Sequence, residues 1–401
     1  MNRAVLKFGG SSVSDFDKIR NIANTLKSRV DQGEQLIVVV SAMGKTTDQL
    51  MYNVSHLTHQ PKEQEVALLL TTGEQQTISY LSMVLNDIGI RARAMTGYQA
   101  GIKTVGHYLK SRVAEIDPSL FEEAFQQHDI LVIAGFQGVN EHNELTTLGR
   151  GGSDTTAVAL AASNGIPCEI YTDVAGVYAT DPRLYEDAKR LSIVSYEEMM
   201  EMSALGAGVL ETRSVELAKN YHIPLYLGKT LSKEKGTWIM PRTEILEKKA
   251  VTGVALDTHM VHVTISYPEP SEQLYTALFK QLDEGSVNID MISQIVNQEG
   301  LQMSFTIKDS DSQQITTFLQ QLSEYFNDLD YTINESYVKI SLIGSGMRDM
   351  SGVASKAFST LLAHDITFYQ TTTSEISISY VIDAENGERA VKALYEAFDI
   401  E

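Results

Sequence analysis

The chain has 401 residues, 52 acidic and 32 basic, for a formal charge of −20. That length exceeds one ordinary core and implies two or three domains, while 43% hydrophobic and 21% charged residues make a globular rather than a disordered composition. The shortage of Lys and Arg argues against nucleic acid or an anionic membrane as partner, because phosphate contacts need clustered cations.

Cys168 is the only cysteine, so no internal disulfide and no Cys-rich metal site can form, which suits a reducing compartment. The N-terminus reaches charge before a signal-peptide core can build, and the longest apolar runs fall far short of a membrane span. A soluble, cytoplasmic protein of more than one domain is expected.

Up to about residue 240, short β-branched runs alternate with amphipathic stretches. Residues 5–8, 36–40, 130–134 and 168–172 read as buried strands; 17–30, 63–85, 119–127 and 154–164 read as helices. That alternation predicts an α/β fold, a three-layer αβα sandwich around a mostly parallel sheet. Ligands then bind in the loops beyond Phe8, Val40, Ala134 and Thr172. Residues 231–249 read as a linker, and Met240 is a candidate start for a separate regulatory chain. Beyond it a smaller α+β pattern occurs twice. Strands are expected at 261–266, 287–292 and 301–307 with a helix at 272–283. The second unit has strands at 338–343, 366–371 and 376–382 with helices at 352–363 and 388–398.

Five segments carry candidate chemistry. Lys7-Phe8-Gly9-Gly10-Ser11-Ser12 follows the first strand: glycines let backbone N–H groups approach phosphate beside a lysine, though an ordinary strand-to-helix turn reads the same. Ser41, Thr46 and Thr47 follow the second strand, either as ligand hydroxyls or with Thr47 or Asp48 as an N-cap. Thr71-Thr72-Gly73-Glu74 interrupts a long helical pattern, and Glu74 is either a solvated carboxylate or a ligand group. Gly149-Arg150-Gly151-Gly152-Ser153-Asp154 opens an apolar helix. A glycine-rich loop at a helix N-terminus is an anion site and Arg150 a carboxylate or phosphate fork; the alternative is a cap by Ser153 or Asp154. Thr172-Asp173 through Tyr178 to Asp181-Pro182-Arg183 either holds a nucleotide or is a tight Asp-Pro loop. The nine histidines show no zinc spacing.

In this order the segments resemble the aspartate kinases of the amino-acid kinase family, and the C-terminal repeats resemble its paired ACT modules (βαββαβ), notably at Asn288-Ile289-Asp290-Met291-Ile292 and Gly344-Ser345-Gly346-Met347. The resemblance implies a catalytic domain over 1–240, a linker over 241–252 and ACT-like modules over 253–335 and 336–401, with interleaving of the two modules allowed. It implies transfer of the ATP γ-phosphate to the aspartate side-chain carboxylate, the first step toward lysine, threonine and methionine. Lys7, Arg150 and Asp154 are then catalytic. Ser41, Thr47, Glu74, Arg150, Gly151, Gly152 and Ser153 hold aspartate, with Glu74 facing its ammonium. Lys7, Phe8, Gly9, Gly10, Thr172, Asp173, Tyr178 and Arg183 receive ATP with its magnesium. Asn288, Ile289, Asp290 and Gln294 mark a lysine or threonine effector site, and the modules pair copies into a homo-oligomer. No tightly bound cofactor or resident metal is expected.

Departures from the family pattern fall at Ala175, Glu211-Thr212 and Leu227-Gly228-Lys229, read as edges of the nucleotide pocket or packing, and at Pro268 to Gln273, Ser351 and Thr367 to Gln370 in the regulatory half. A sister kinase for another acid, and a non-catalytic amino-acid sensor on the same fold, are the competing readings. The charge is uneven: residues 1–250 carry 25 basic and 30 acidic side chains (−5), residues 251–401 carry 7 and 22 (−15).

Overall fold

The computed structural model describes residues 2–241, 249–298, 300–348 and 350–400. They form two compact units: one holds the chain up to Val177, Arg190–Ser203 and the stretch from Gly208 to 241, the other Tyr178–Lys189, Ala204–Ala207 and the residues from 249 on.

The first unit begins β1 (Arg3–Phe8), α1 (Phe16–Val30), β2 (Gln35–Val40), α2 (Thr46–Leu57), α3 (Glu63–Asp87) and β3 (Ala92–Met95). It continues with β4 (Lys103–Val105), β5 (Arg112–Glu115), α4 (Ser119–Ala124), β6 (Ile130–Ala134), β7 (Gln137–Val139) and β8 (Leu145–Thr147). Then come α5 (Gly152–Asn164), β9 (Cys168–Thr172), β10 (Ile193–Ser195), α6 (Tyr196–Met202), α7 (Thr212–Asn220), β11 (Leu225–Lys229) and β12 (Thr237–Met240). Eight strands form one sheet in the order β10-β12-β11-β9-β1-β2-β6-β3. Neighbours run parallel except β11 and β12.

Burial explains the sheet. In β1 and β2 the last five residues are all buried, as strands covered on both faces must be, so their apolar runs are continuous rather than alternating. α1 starts where Asp15 accepts the Lys18 N–H at 2.9 Å, and its Ile19, Ile22, Ala23 and Leu26 stripe packs into the sheet core. β1 is central, with Phe8 level with Val40 on one side and Tyr171 on the other. The loops after β1, β2 and β9 therefore leave one edge of the sheet together.

Three expectations change. Residues 237–240, assigned to a linker, are β12 of the main sheet, where Thr237 is fully buried and its hydroxyl donates to Leu191 O at 2.6 Å; of the 241–252 linker, 242–248 lie outside the described residues. α2 begins in the segment where Thr47 or Asp48 is one reading for an N-cap, but it is absent from the expected helix spans because only Val54 of its twelve residues is buried, leaving little apolar periodicity to read. α3 runs through Gly73 unbroken.

The second unit contains β13 (Gly253–Asp257), β14 (Met260–Tyr267), α8 (Glu272–Glu284), β15 (Ile292–Asn297), β16 (Gly300–Lys308), α9 (Ser312–Tyr325) and β17 (Asp330–Asn334). β18 (Tyr337–Ile343), α10 (Val353–Ala363), β19 (Phe368–Thr373), β20 (Ser377–Asp383) and α11 (Gly387–Ala397) follow. Two antiparallel sheets result, β15-β16-β14-β17 and β13-β18-β20-β19. The first repeat builds its whole βαββαβ unit from 260–334. The second supplies three strands of its own, and β13, from before the first repeat, takes the fourth place beside β18 with Val254 opposite Leu342. A linear boundary at 335 therefore does not separate the two sheets. Of the strand expected at 287–292 only Ile292 is strand, the start of β15; residues 287–291 are a loop stitched to one residue, where Asp290 N–H donates to Thr306 O and Met291 N–H to Thr306 Oγ1, both at 3.0 Å.

Val254 is 3% exposed. Val254→Asp buries a charge in the second sheet and should cost about 3 kcal/mol. Hydrogen exchange should then quicken at Val338–Ile343 and Ile378–Ile382 while Val261–Ile265 keeps its protection; the opposite pattern would put β13 with the first repeat.

Candidate active site

Backbone contacts lace the strand-end loops. Gly9 N–H donates to Tyr171 O at 3.2 Å, Ser41 N–H to Phe8 O at 3.2 Å and Gly44 N–H to Gly10 O at 3.0 Å. A Cβ on Gly10 would sit 3.0 Å from Ala42 O and 3.1 Å from Gly44 O, so glycine sets how closely these loops approach. Beneath them Phe8 stacks on Tyr171, ring centroids 5.3 Å apart. Lys7, near the end of β1, reaches Asp154 of α5, with Nζ to Oδ1 at 2.5 Å. Both are nearly buried, 9% and 13% exposed at the side chain. α5 opens at Gly152 behind Gly151, which is left-handed (φ 64°) and offers no capping side chain. Neither Ser153 nor Asp154 is the cap, so both are released to the site: Ser153 Oγ lies 2.8 Å from Ser41 Oγ.

A cleft of about 270 Å³ is lined by Gly10, Ser41, Thr47, Glu74, Phe136, Gly149, Arg150, Gly151, Gly152 and Ser153. Arg150 is exposed and makes no ion pair among the described residues. Glu74 is buried, 3% exposed; its Oε1 accepts Ala42 N–H at 3.1 Å, and its Oε2 has no hydrogen-bond partner among the described residues. Burial pushes its pKa up to about 7, against the pull of the Ala42 N–H. Gly73 beside it has a packing cause, since a Cβ there would come within 2.8 Å of Ala42 Cβ. Thr47 and Asp48 do not cap α2, whose N-cap position is Lys45 with no side-chain bond.

A second cleft of about 190 Å³ is lined by Ser11, Ser12, Lys18, Thr172, Asp173, Lys229 and Thr230. Thr172 Oγ1 donates to Asp173 Oδ1 at 2.9 Å, and Thr230 N–H to Thr172 O at 2.8 Å. Lys18 donates to Ser11 O and Ser14 Oγ, each at 2.9 Å. Sequence reasoning missed Lys18, whose signal was its place in the first turn of the helix that follows the Gly9-Gly10 loop. It noticed Lys229 only as a departure. Tyr178 and Arg183 belong to the second unit, and there Arg183 is forked onto Asp181 at 2.6 Å.

Of the two expectations for Glu211, packing is the one seen: it lies across Gly151, where a Cβ would meet Glu211 Cβ at 2.5 Å, and Gly151 lines the Arg150 cleft. In the second unit Asn288 is exposed, Ile289 packs on the first repeat's core and Gln294 lies in β15 opposite Met303. The Asp290 carboxylate holds the ammonium of Lys339, a lysine only 1% exposed, with Asp257 Oδ2 3.9 Å away. Among the described residues no group of three His, Cys, Asp or Glu could hold a metal, and no helix is long and apolar enough to cross a membrane.

Glu74 gives a test with a definite sign. Its folded pKa lies above its unfolded value of 4.5, so the fold holds a proton the unfolded chain has lost, and stability falls as pH rises from 4.5 to about 7. Glu74→Gln should raise the melting temperature above pH 7, by the equivalent of about 1–3 kcal/mol, and lose that advantage below pH 4.5. A difference independent of pH would contradict the assignment.

Comparison with known proteins agrees with this geometry. The amino acid kinase family profile matches residues 2–229 and an ACT domain profile matches 340–398. Aspartokinase 2 of Bacillus subtilis is 40% identical over 401 residues, covering all of this chain and 98% of that protein. Aspartokinase of Thermus thermophilus is 38% identical, covering both chains completely. Among solved structures, E. coli aspartokinase III in complex with aspartate and ADP superposes with a TM-score of 0.77 at 22% identity, over 98% of this chain and 99% of that one, a likeness of fold. With the family profile over more than half its length and full-length relatives at 40% identity, the chain belongs to the amino acid kinase family, in its aspartokinase group.

Proposed function

We propose that the chain transfers the γ-phosphate of ATP to the side-chain carboxylate of L-aspartate, giving 4-phospho-L-aspartate and ADP. The observation that carries this reading is the nearly buried Lys7–Asp154 pair, whose near neighbours in the chain, Gly10, Ser11, Ser12 and Ser153, line the two clefts. A carboxylate is already ionised at neutral pH, so no general base is required. The barrier is the approach of one anion to another, and positioning with positive charge lowers it. The aspartate side-chain oxygen attacks the γ-phosphorus, the bond to the β–γ bridging oxygen breaks, and that oxygen leaves on ADP with the electron pair. Lys7 neutralises the charge passing between the two, and Asp154 fixes where its ammonium sits.

In this reading Arg150 clamps a substrate carboxylate, Glu74 meets the α-ammonium with its unpartnered oxygen, and Ser41, Thr47 and Ser153 complete the pocket. Thr172, Asp173, Lys18 and Lys229 serve the nucleotide, as do Tyr178 and Arg183 by resemblance. Magnesium enters as part of the nucleotide substrate, held by its phosphates and water beside Asp173. The catalytic region spans about 1–240, and residues 253–401 form two interleaved ACT-type modules. The segment 288–294, a loop running into β15, is their effector site for lysine or threonine, whose ammonium would meet Asp290 in competition with Lys339. β15 is an edge strand with Ile292, Ile295 and Val296 about half exposed, which suits pairing with a second copy. A cytoplasmic setting follows from the substrates.

Lys7→Met and Arg150→Ala should each lose at least about a hundredfold in turnover with the fold intact by circular dichroism; near-normal turnover in either would overturn the assignment. The KM for aspartate should fall as pH rises through about 7, where Glu74 ionises, and Glu74→Gln should flatten that profile. An unchanged slope in the variant would remove Glu74 from the ammonium site.

A further inference from the structure

We propose that Arg213 is a positioning residue for the substrate loop Gly149 to Gly152, bracing from behind the backbone that carries Arg150. This deepens the reading of Arg150 as the carboxylate clamp and rests on it.

The loop has little of its own to hold its shape beyond one internal bond, Gly152 N–H to Gly149 O at 3.0 Å. Three of its four residues are glycines, Gly149 and Gly151 are left-handed (φ 78° and 64°), and Arg150 has no ion pair among the described residues to anchor it. A further restraint comes from outside, at the start of α7. The Arg213 guanidinium donates through Nη1 to Leu148 O at 3.1 Å and through Nη2 to Ser111 O at 3.0 Å. Leu148 is the buried residue immediately before Gly149. Ser111 is fully buried, and both its N–H and its hydroxyl donate to Thr147 O at 2.9 Å. One planar fork thus ties the two carbonyls on which the root of the loop rests. Two residues earlier in the chain, Glu211 closes the other end by packing across Gly151. A lysine at 213 would keep the charge but lack the planar, pre-organised fork that fits both carbonyls. Burial and the neighbouring Arg112 push the Arg213 pKa down, and Glu211 and Glu216 work against that shift.

Steady-state kinetics with aspartate and ATP varied separately, on Arg213→Met, Arg213→Lys and Arg150→Ala, test the inference. Arg213→Met keeps the packing and loses the fork; its aspartate KM should rise about tenfold while its ATP KM stays at the parent value. Arg213→Lys should fall between the two. A purely structural role would lower the melting temperature and the active fraction with both KM values unchanged, and that result overturns the inference, as does a parallel rise in both. If Arg150→Ala loses aspartate binding while Arg213→Met keeps it, the positioning role alone fails. If Arg150→Ala keeps the parent KM and turnover, the clamp fails and the inference falls with it.

Discussion

Lys7 and Asp154 meet at 2.5 Å where neither side chain is more than 13% exposed. Taking both charges out of water costs several kcal/mol for each ion, and their attraction repays that only partly, so such a pair is a poor way to hold a fold together. Its position explains it better than its energy. It joins the end of the central strand to the first turn of α5, and near neighbours of both residues in the chain line the two clefts. In the proposed reading an ammonium fixed there is costly until an anion arrives, and then it is already in place, with no reorganisation left to do.

The sheet makes that placement possible. Parallel strands send their C-terminal loops to one edge, and the level register of Phe8, Val40 and Tyr171 brings the loops after β1, β2 and β9 within backbone hydrogen-bonding distance of one another. Charge follows the same division of labour. The first 250 residues are near balance at −5, with Lys18, Arg150 and Lys229 at the clefts, and the remainder carries −15. The acidity that argued against polyanionic partners therefore belongs mostly to residues 251–401.

The four central strands were legible because burial on both faces writes itself as an unbroken apolar run, as at Leu36 to Val40. Arg150 and Asp154 were legible because three glycines around an arginine exceed what a helix cap requires. What stayed hidden depends on partners distant in the chain. β12 looks like linker because its place is set by Leu225, Tyr226 and Leu227 and by Ser192, not by its own periodicity. Pairing of β13 with β18 spans more than eighty residues and leaves no local sign. Gly73 suggested a break in a helix; its cause is the Cβ of Ala42, visible only in three dimensions. Ser153 and Asp154 are good capping residues by type, but Gly151 takes the N-cap position and leaves both for the site. Glu211 was noticed as unusual, yet nothing in its neighbourhood along the chain indicated that it lies against Gly151.

The most direct measurement is hydroxylamine trapping of the acyl phosphate made from aspartate and ATP, with the parent chain beside the isosteric Asp154→Asn variant. The parent should yield aspartyl hydroxamate in step with ADP, and Asp154→Asn, folded but with the Lys7 ammonium no longer fixed, should lose about a hundredfold in rate. Parent ADP formed without hydroxamate, or a variant trapping product at the parent rate, would contradict phosphate transfer to a carboxylate beside this ion pair.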